Sequence, residues 1–581
     1  MELKDIVRGK APVEMLYHWE KNAPNKIYLR QPIENQWHQY TWGEVADQAR
    51  RLVTALRKLG LKKGDKVAIM SKNCAEWIIT DLALQLGGYV SVPLYFDQTP
   101  DTFAYILEHS ESKALFIGKL DAPVWRRLRD AVPENMIKIG FSFHGSDADF
   151  RREGEVDYFL RELVSHNQPF RENPVPADED VWTIVYTSGT TGYPKGAVHL
   201  YRAPRHVSVR ALEVFGLGKD DRLFSFLPLA HVAERLLVAT TSQYGGMEIN
   251  FAQSLETFQR DLGSVQPTIF FSVPRLWKKF QGGILEKLPQ HKMDRLLRIP
   301  LINILIRRKL RKALGLSKAR LVISGAAPIA PSLLNWYKSL NIEILEGYGM
   351  TENFAYGFIG RPGHNKIGTV GKAMPDCGFK MSPEGEVLFK CPTLMQGYYK
   401  DEEKSREALT ADGYYRSGDL AELDAEGFLK ITGRVKEIFK TEKGEYVAPA
   451  PVESKLATMK DLEQICLGGS GLPQPVVVVT LVEQVRNVPR EEMRKKIEAH
   501  IRETNPKLLN HEKVAGVIVS TEDWLPSGDL VTPTLKVKRN KVEERFGPLM
   551  AQLVNGKQMV MWEDEFKASQ PAKAKASEAL A

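Results

Sequence analysis

Short apolar strands that alternate with amphipathic helices constrain the fold of this chain more than any other feature of its sequence. Residues 42–59 carry apolar and charged side chains at helical spacing and end before Gly60, and residues 65–70 then have the pattern of a buried strand. The same order repeats in a helix over 77–86 and a strand over 89–94. Strands that are apolar throughout are typical of sheets covered by helices on both faces. We therefore predict an α/β fold.

The character of the sequence changes after Gly433. Apolar strands at 182–186, 268–271 and 320–323 continue the alternation before that point, whereas the region beyond it is α+β-like, with its clearest strand at 475–481. We predict an N-terminal domain over 1–433, a smaller C-terminal domain over 434–548, and a tail over 549–581 that frays from residue 566, where Ala, Lys and Ser dominate.

The composition excludes several classes of protein. At 581 residues the chain is too long for a single small binding module, and 43% hydrophobic with 26% charged residues is an ordinary globular balance. The net charge of +8 is a mild bias, compatible with an anionic ligand or an anionic membrane surface but too weak to indicate nucleic acid.

The cysteines and the N-terminal residues indicate the cellular compartment of the protein. Four cysteines without a CxxC pair indicate neither a zinc cluster nor a disulfide framework, so we expect reduced thiols. Charged residues follow Met1 where a signal peptide needs an apolar core, and no apolar run approaches the roughly 18 residues of a membrane-spanning helix. We predict a cytoplasmic protein and leave peripheral membrane contact open.

A glycine-rich loop, YTSGTTGYPKG at 186–196, directly follows the strand at 182–186. Its three glycines allow backbone N–H groups to approach an anion, four hydroxyls add donors, and Lys195 adds positive charge. The spacing is neither that of a Walker A loop nor that of GxGxxG. A flexible linker is the alternative, but apolar strands flank the loop and Pro194 and Lys195 follow its glycines. The loop therefore predicts a phosphate-binding site.

This loop resembles the first signature of the adenylate-forming superfamily, which includes acyl-CoA synthetases, adenylation domains of peptide synthetases and luciferases. Further segments resemble the family's other motifs in the family's order: SGAAP at 324–328, EGYGMTE at 346–352, YRSGD at 415–419, GRVKE at 433–437 and TPTLK at 532–536. The resemblance covers residues 181–539. It implies a large multi-layer α/β N-terminal domain and a smaller, mobile α+β C-terminal domain, joined by a hinge.

The resemblance also implies which residues bind ATP and magnesium. The phosphate ligands would be Thr187, Ser188, Gly189, Thr190, Thr191, Gly192 and Lys195. The adenine side would be formed by Gly325, Ala326, Ala327, Glu346, Gly347, Tyr348 and Gly349. Thr351 would add a phosphate contact, and Glu352 would hold Mg²⁺, a hard cation that prefers oxygen ligands. Asp419 and Arg434 would bind the ribose hydroxyls.

The remaining catalytic assignments fall on lysines of the C-terminal domain. In the family, the lysine at the position of Lys536 reaches the α-phosphate and the carboxylate, and it leaves when the small domain rotates for thioester formation. Charge alone would place Lys536 on a solvated basic face with Lys538 and Lys541. Lys436 occupies the hinge position. Lys440 and Lys443 would serve the thioester step, although a lysine-rich turn more often serves solubility.

Three segments indicate a long acyl chain. SVPRLW at 272–277 is similar to the segment of long-chain fatty acyl-CoA synthetases whose tryptophan, here Trp277, gates the fatty-acid tunnel. LPLAH at 227–231 resembles the motif whose histidine, here His231, borders the acyl pocket, and TPTLK also has the long-chain form. A lone Trp or His is more often a core residue. The stretch 292–312 mixes Leu and Ile with a basic cluster, which suits either membrane contact or a packed helix kinked at Pro300.

The sequence therefore predicts a long-chain fatty acid–CoA ligase that uses ATP, Mg²⁺ and CoA and proceeds through acyl-AMP. An enzyme that passes the acyl group from the adenylate to a carrier protein is the nearest alternative. A luciferase-like oxidase and a non-catalytic lipid- or nucleotide-binding homologue are further alternatives. The predicted partners are small molecules and not nucleic acid, and membrane contact through 292–312 is left open.

Overall fold

The chain folds into two units in a computed structural model that describes residues 3–141, 156–187, 193–525, 528–532, 536–556 and 558–568. The first unit comprises Met1–Lys380, Leu388–Ser417 and Asp424–Leu429. The second comprises Met381–Val387, Gly418–Leu423 and Lys430–Ala581.

The first unit contains an eight-stranded sheet in which apolar strands lie side by side. Most pairs are parallel, but Val181–Thr187 and Lys195–Leu200 are antiparallel, with Thr187 opposite Lys195. In spatial order the strands are Gly397–Tyr398, Lys195–Leu200, Val181–Thr187, Val90–Leu94, Lys66–Ser71, Ser112–Gly118, Ile137–Gly140 and Tyr158–Phe159.

A second sheet of the first unit has nine strands. Its central strands are parallel, and strands at both ends pair in the antiparallel direction. In spatial order they are Lys372–Ala373, Phe358–Ile359, Ile344–Tyr348, Leu321–Ser324, Ile269–Ser272, Arg222–Ser225, Glu248–Phe251, Ile27–Ile33 and Gln36–Thr41.

The helices of the first unit follow from their caps and apolar faces. Thr41 and Glu44 form a capping box, in which the Glu44 N–H donates to Thr41 Oγ1 and the Thr41 N–H donates to Glu44 Oε2. The α-helices are Leu3–Val7, Pro12–Asn22, Trp42–Lys58, Ala75–Gly87, Pro100–His109, Ala122–Leu128, Leu160–Ser165, Arg202–Phe215, Val232–Glu234, Ser242–Gly245, Phe258–Val265, Pro274–Lys287, Gln290–Arg298, Ile302–Ala313, Pro331–Ser339 and Glu402–Glu407. Arg235–Thr241 is a π-helix, and Arg129–Ala131 and Thr351–Asn353 are 3₁₀ turns.

The second unit is built on a four-stranded sheet with a core on each face. Val477 and Val479 face one core and Val476 and Val478 face the other, as the alternation of a strand requires. The strands in spatial order are Leu462–Gly468, Val476–Leu481, Gly516–Val519 and Val560–Trp562. Helix Arg490–Thr504 packs in the first of these cores and helix Arg539–Val554 in the second.

The second unit also has smaller elements. Phe439–Lys440 and Tyr446–Val447 form a two-stranded sheet. The remaining elements are the α-helices Pro449–Leu456 and Glu563–Ala568 and the 3₁₀ turns Val435–Glu437, Glu483–Val485, Asn505–Lys507 and Asn510–Glu512. The division between the units falls within or beside four strands, Gly378–Met381, Glu386–Lys390, Tyr415–Leu423 and Leu429–Arg434.

These elements confirm the predicted α/β fold and correct one detail near the C-terminus. We expected residues from 566 onward to fray, but Phe566 lies in helix Glu563–Ala568 and is buried in a core of the second unit. Strand Val560–Trp562, within the predicted tail, pairs with Gly516–Val519. The remaining residues, 569–581, lie outside the described part of the chain.

The four cysteines are free and buried, and the fold brings two of them together. The Sγ atoms of Cys377 and Cys391 lie 2.7 Å apart. Among the described residues, no helix combines the length and the apolar character needed to cross a membrane.

Candidate active site

Four parallel strands of the nine-stranded sheet end at the same edge, and each is followed by a predicted motif. Pairing aligns Ser272 with Ser324 and Ser324 with Glu346, so these strands reach the edge in register. The strands are Arg222–Ser225, Ile269–Ser272, Leu321–Ser324 and Ile344–Tyr348. The motif segments that follow them are 227–231, 273–277, 325–328 and 349–352. Ligands of open α/β sheets bind beyond the carboxyl ends of the strands, so the topology brings the predicted acyl and adenine motifs to a favourable place.

The predicted adenine motifs contain two glycines at which backbone segments pass close to each other. A Cβ added to Gly325 would lie 3.1 Å from the carbonyl oxygen of Gly347, and one added to Gly349 would lie 2.6 Å from the carbonyl carbon of Ala355. Ala326 has a φ of +66°, in the left-handed region that non-glycine residues seldom adopt. The backbone at Gly325 and Gly349 is too closely packed for larger side chains.

Glu346 and Tyr348 bring polar and aromatic groups to the adenine side. Glu346 Oε1 is buried and has no hydrogen-bond partner among the described residues, and burial raises the pKa of this carboxyl to about 8. A buried polar atom without a partner costs free energy, so the site favours a ligand that forms a hydrogen bond with this carboxyl. The Tyr348 ring is half-buried, with its centroid 6.0 Å from that of Phe389, and Ala327 is exposed.

The phosphate and metal candidates of the first unit meet around Tyr398. Lys195 Nζ lies 4.9 Å from the centre of the Tyr398 ring, and the Tyr398 hydroxyl donates a hydrogen bond of 2.9 Å to Glu352 Oε1. The Tyr415 hydroxyl lies 3.2 Å from that of Tyr398. Burial, with Glu352 nearby, raises the pKa of the Tyr398 hydroxyl, so it stays a proton donor. One aromatic side chain thus joins the predicted phosphate lysine to the predicted metal ligand.

Backbone pairing produces this cluster. Strand Gly397–Tyr398 pairs with Lys195–Leu200, and the Met395 N–H donates a 2.7 Å hydrogen bond to the Glu352 carbonyl. Thr351 begins the 3₁₀ turn Thr351–Asn353 that carries Glu352.

Of the predicted phosphate ligands, the structure describes the two that flank the glycine-rich loop. Thr187 and Lys195 are paired across the antiparallel strands, and the Thr187 hydroxyl donates to the Lys195 carbonyl at 3.4 Å. The other predicted ligands, Ser188, Gly189, Thr190, Thr191 and Gly192, lie outside the described residues.

The predicted ribose ligands lie in the second unit and contact each other. Arg434 Nε donates a 2.8 Å hydrogen bond to Asp419 Oδ1, with Asp419 buried and the arginine half exposed. An exposed guanidinium can keep this bond and still offer its other N–H groups to a ligand.

The predicted lysines of the second unit are on its surface. Lys536 is exposed, and its N–H donates to Thr532 Oγ1 at 3.1 Å while its carbonyl accepts from the Thr532 N–H at 2.8 Å. Lys436 is exposed in the turn Val435–Glu437, and Lys443 is exposed between the two short strands. Lys440 Nζ lies 4.9 Å from the centre of the Tyr446 ring.

The two predicted acyl-side residues differ in their surroundings. His231 Nδ1 accepts the Ala233 N–H at 3.2 Å and so caps the short helix Val232–Glu234. Trp277 is completely buried between aromatic rings, among them Phe270 and Tyr337, and its Nε1–H has no acceptor within the described part of the chain. The structure therefore packs Trp277 as a core residue, and its role as a gate remains a prediction.

Sequence reasoning did not single out Tyr398, Tyr415 or Glu234. Glu234, near His231, is fully buried and its Oε1 accepts from Ser225 Oγ at 2.9 Å and from the Phe226 N–H at 3.2 Å. Tyr415 stands in the YRSGD motif, and Tyr398 in QGYYK, a glycine followed by two tyrosines. A glycine next to two tyrosines was the one sequence signal that pointed to this segment. The contact between Tyr398 and Glu352 is visible only in the folded structure.

A magnesium ion fits here only together with substrate oxygens. The described residues contain no group of three or more His, Cys, Asp or Glu side chains able to hold a metal by themselves. Glu352 offers one carboxylate, and Mg²⁺ is commonly bound by one or two carboxylates plus substrate phosphates and water. The donor set therefore suits a metal that arrives with a nucleotide.

Comparison with protein families gives two matches to this chain. Residues 16–399 match the family described as AMP-binding enzyme, and residues 437–557 match the AMP-binding enzyme C-terminal domain.

Curated relatives match over most of their length. The chain is 30% identical to long-chain-fatty-acid–CoA ligase FadD15 of Mycobacterium bovis, over 92% of this chain and 95% of that protein. It is 29% identical to the peroxisomal long chain acyl-CoA synthetase 7 of Arabidopsis thaliana, over 88% of this chain and 81% of that protein.

Solved structures share the fold at lower identity. The A domain of carboxylic acid reductase from Segniliparus rugosus, in complex with AMP and a co-purified carboxylic acid, aligns with a TM-score of 0.80 at 21% identity, covering 95% of this chain and 96% of that one. The anthranilate CoA ligase AuaEII, in complex with anthranoyl-AMP, aligns with a TM-score of 0.74 at 22% identity, covering 94% of this chain and 99% of that one.

Proposed function

Because the chain belongs to the AMP-binding enzyme family and is an AMP-forming acid–thiol ligase, we propose that it activates long-chain fatty acids with MgATP and transfers them to CoA. In the first step a fatty-acid carboxylate oxygen attacks the α-phosphorus of ATP, and the bond to the bridging oxygen breaks to release pyrophosphate. In the second step the CoA sulfur attacks the acyl carbonyl, loses its proton and displaces AMP.

The observation that carries this proposal is the arrival of four motif segments at one sheet edge. The acyl-side segments 227–231 and 273–277 leave the same edge as the adenine-side segments 325–328 and 349–352. A carboxylate and a nucleotide bound there would lie side by side, as their reaction requires. Curated relatives named as long-chain acyl-CoA ligases support the substrate class.

In the adenylation step, the proposed task of the site is to hold two anions together. Lys195 would neutralise the β- and γ-phosphates, Thr351 would contact a phosphate, and Glu352 would hold magnesium, which supplies positive charge at the polyphosphate when bound. The Tyr398 hydroxyl would fix the orientation of the Glu352 carboxylate. Asp419 and Arg434 would bind the ribose.

The C-terminal domain would act both in adenylation and in thioester formation. We propose a domain division at residue 434, with Lys436 at the hinge, Lys536 acting on the carboxylate and α-phosphate, and Lys440 and Lys443 acting in thioester formation. All four side chains are exposed, so they are accessible to a ligand or to another part of the protein.

The test is pyrophosphate release from MgATP with carboxylic acids from acetate to oleate and an aryl acid, with and without CoA. We expect an optimum with long acids, turnover that requires CoA, and a loss of about a hundredfold or more in Lys536→Ala. Lys538→Ala, two residues away and outside the matched motif, is the control and should retain activity.

The other outcomes would overturn parts of the proposal separately. Release with short or aryl acids alone would contradict the long-chain substrate and the role of Trp277. Adenylate that accumulates and reacts with a carrier-protein thiol but not with CoA would indicate a fatty acyl-AMP ligase. Binding of lipid or nucleotide without turnover of any acid would contradict catalysis.

A further inference from the structure

Two short helices of the first unit form a hairpin with an apolar tip. We call residues 290–313 the 290–313 hairpin; it consists of helix Gln290–Arg298, a connection over 299–301 and helix Ile302–Ala313. The structure breaks the chain near Pro300 into two helices, rather than bending one helix there.

The tip exposes large apolar side chains to solvent. Leu301 is 75% exposed, Leu305 65% and Ile304 60%, with Ile299 and Ile302 also exposed. Of the fifteen large hydrophobic residues exposed in the described chain, these five fall within seven consecutive residues. Scattered exposed apolar residues are ordinary, whereas a contiguous patch marks an interaction surface.

The backbone at the tip adopts an unfavourable conformation. Leu301 has φ +66° and ψ −46°, and the Ile302 N–H donates to the Pro300 carbonyl at 2.8 Å, which is the rare and strained classic γ-turn. Local backbone preference therefore disfavours the turn that presents the tip.

Basic side chains flank the tip on both helices. The hairpin carries eight Lys and Arg residues and a single acid, Asp294. Within the described chain, no acidic side chain pairs with its exposed bases: Lys292, Arg295, Arg298, Arg308, Lys309 and Lys312. The hairpin is therefore strongly cationic around an apolar tip.

Apolar and basic groups lie in order along one helix face. Leu301, Leu305, Arg308 and Lys312 follow one another at spacings of four, three and four residues, and all four are exposed. The stripe is apolar at the tip and basic farther along. This order matches a helix whose end enters the acyl region of a bilayer while long basic side chains reach the headgroups.

The hairpin is anchored in the protein by its opposite face. Met293 is buried and Leu310 packs against the same core cluster, while Arg307 Nε donates to the Ser339 carbonyl at 2.9 Å. Helix Ile302–Ala313 itself has no fully buried residue. The exposed face is thus presented on a fixed support and is not needed for the core.

We infer that the 290–313 hairpin docks this protein peripherally on membranes that contain anionic lipids. Charge complementarity favours lipid over a second copy of the chain, because self-association through this face would bring two strongly cationic surfaces together. Each basic side chain near an anionic membrane surface strengthens binding, and burial of each leucine adds to that. The inference does not depend on the proposed substrate.

The experiment is flotation of the full-length protein with vesicles of phosphatidylcholine alone or with phosphatidylglycerol added. We expect binding to the anionic vesicles that weakens with salt. Leu301→Ser with Leu305→Ser should weaken it by about tenfold or more, because less apolar surface enters the bilayer. Arg308→Gln with Lys309→Gln should weaken it by about tenfold or more on anionic vesicles only.

Controls come from exposed residues elsewhere in the first unit. Leu255→Ser removes a leucine that is 87% exposed and isolated, and Lys113→Gln removes an exposed lysine; both should bind vesicles like the unaltered protein. Thermal midpoints close to that of the unaltered protein will show that the variants fold.

Equal binding by the hairpin variants and the controls, or no binding to anionic vesicles, would overturn the inference. A dimer in sedimentation that Leu301→Ser with Leu305→Ser dissociates would assign the face to self-association and also overturn it.

Discussion

At the residue scale, the side chain of Tyr398 contacts both the predicted metal ligand Glu352 and the predicted phosphate ligand Lys195. Its hydroxyl donates to Glu352, while the ring lies beside Lys195. We expect Tyr398→Phe to slow pyrophosphate release by about tenfold to a hundredfold, because a hydrogen bond to a charged group contributes roughly 1.5–3 kcal/mol. Initial rates measured across magnesium concentrations will check this and show whether the apparent magnesium affinity falls.

The neighbouring tyrosine provides a matched control. The Tyr399 hydroxyl also donates to a carboxylate, Glu111 Oε2 at 2.8 Å, but Glu111 is an exposed residue outside the predicted motifs. Tyr399→Phe should therefore keep its activity. If both variants lose activity to the same extent, the bond to Glu352 has no special role.

Glu234 makes stability depend on pH. Burial raises the pKa of its carboxyl from 4.5 to about 8, against hydrogen bonds from Ser225 and from the N–H groups of Phe226 and Leu227. Because the folded state binds this proton more tightly, the stabilisation is complete below pH 4.5 and is lost as the pH rises through about 8. We expect Glu234→Gln, which cannot lose a proton, to show a smaller fall in thermal midpoint between pH 6 and pH 9.

The control for Glu234→Gln is the same substitution at an exposed glutamate. Glu407→Gln alters a surface carboxyl at the end of helix Glu402–Glu407 and should keep the profile of the unaltered protein. Glu346, whose pKa is also raised to about 8, remains in both variants, so part of the pH dependence will persist. Identical profiles for the two variants would mean that Glu234 is already ionised in the folded protein.

At the scale of elements, the backbone that leads to Thr351 and Glu352 can pass close to Ala355 only because Gly349 has no side chain. A Cβ there would lie 2.6 Å from the Ala355 carbonyl carbon, so the backbone must move. We expect Gly349→Ala to lower the free energy of unfolding by about 1–3 kcal/mol and to weaken ATP binding, since the displaced segment carries Thr351 and Glu352.

A glycine with free space around it is the control for Gly349. Gly263 lies in helix Phe258–Val265, and an added Cβ would meet nothing within 4 Å. Gly263→Ala should stabilise the protein by about 0.5–1 kcal/mol, since alanine favours a helix. Thermal unfolding and ATP-dependent pyrophosphate exchange will compare the two; an unchanged ATP affinity in Gly349→Ala would contradict a role for this approach in nucleotide binding.

Elements with a strong local pattern were predictable from the sequence. The helix predicted over 42–59 is Trp42–Lys58, and the strand predicted over 475–481 is Val476–Leu481. Both are determined by periodicity and by caps within a few residues. Phe566 was mispredicted because its burial depends on a core assembled from distant segments such as 466–478 and 542–553.

The candidate site was predictable only where a motif is contiguous. The glycine-rich loop indicates phosphate chemistry by its own composition, and resemblance located the other motifs. Tyr398 was missed because its position depends on pairing between Gly397–Tyr398 and Lys195–Leu200, which no local pattern reveals. Contacts between distant strands are set by the whole fold, so they had to be observed.

At the scale of the whole molecule, the candidate groups are distributed over both units. Lys195, Glu352 and the adenine motifs belong to the first, whereas Asp419, Arg434 and Lys536 belong to the second. We therefore expect the proposed two-step reaction to need side chains of both units, and the lysines of the second unit to differ in the step that they serve.

This distribution predicts that the two half-reactions can be separated by mutation of single lysines. Lys536→Ala should block formation of acyl-AMP from the acid and ATP, but should still convert supplied acyl-AMP to acyl-CoA, because no pyrophosphate leaves in that step. Lys440→Ala should form acyl-AMP at the original rate and slow thioester formation by about tenfold. Rapid-quench measurement of each step will check this, with the exposed Lys460 changed to alanine as the control. Equal losses in both steps for both variants would mean that each lysine serves both steps, and the proposed division between them would be wrong.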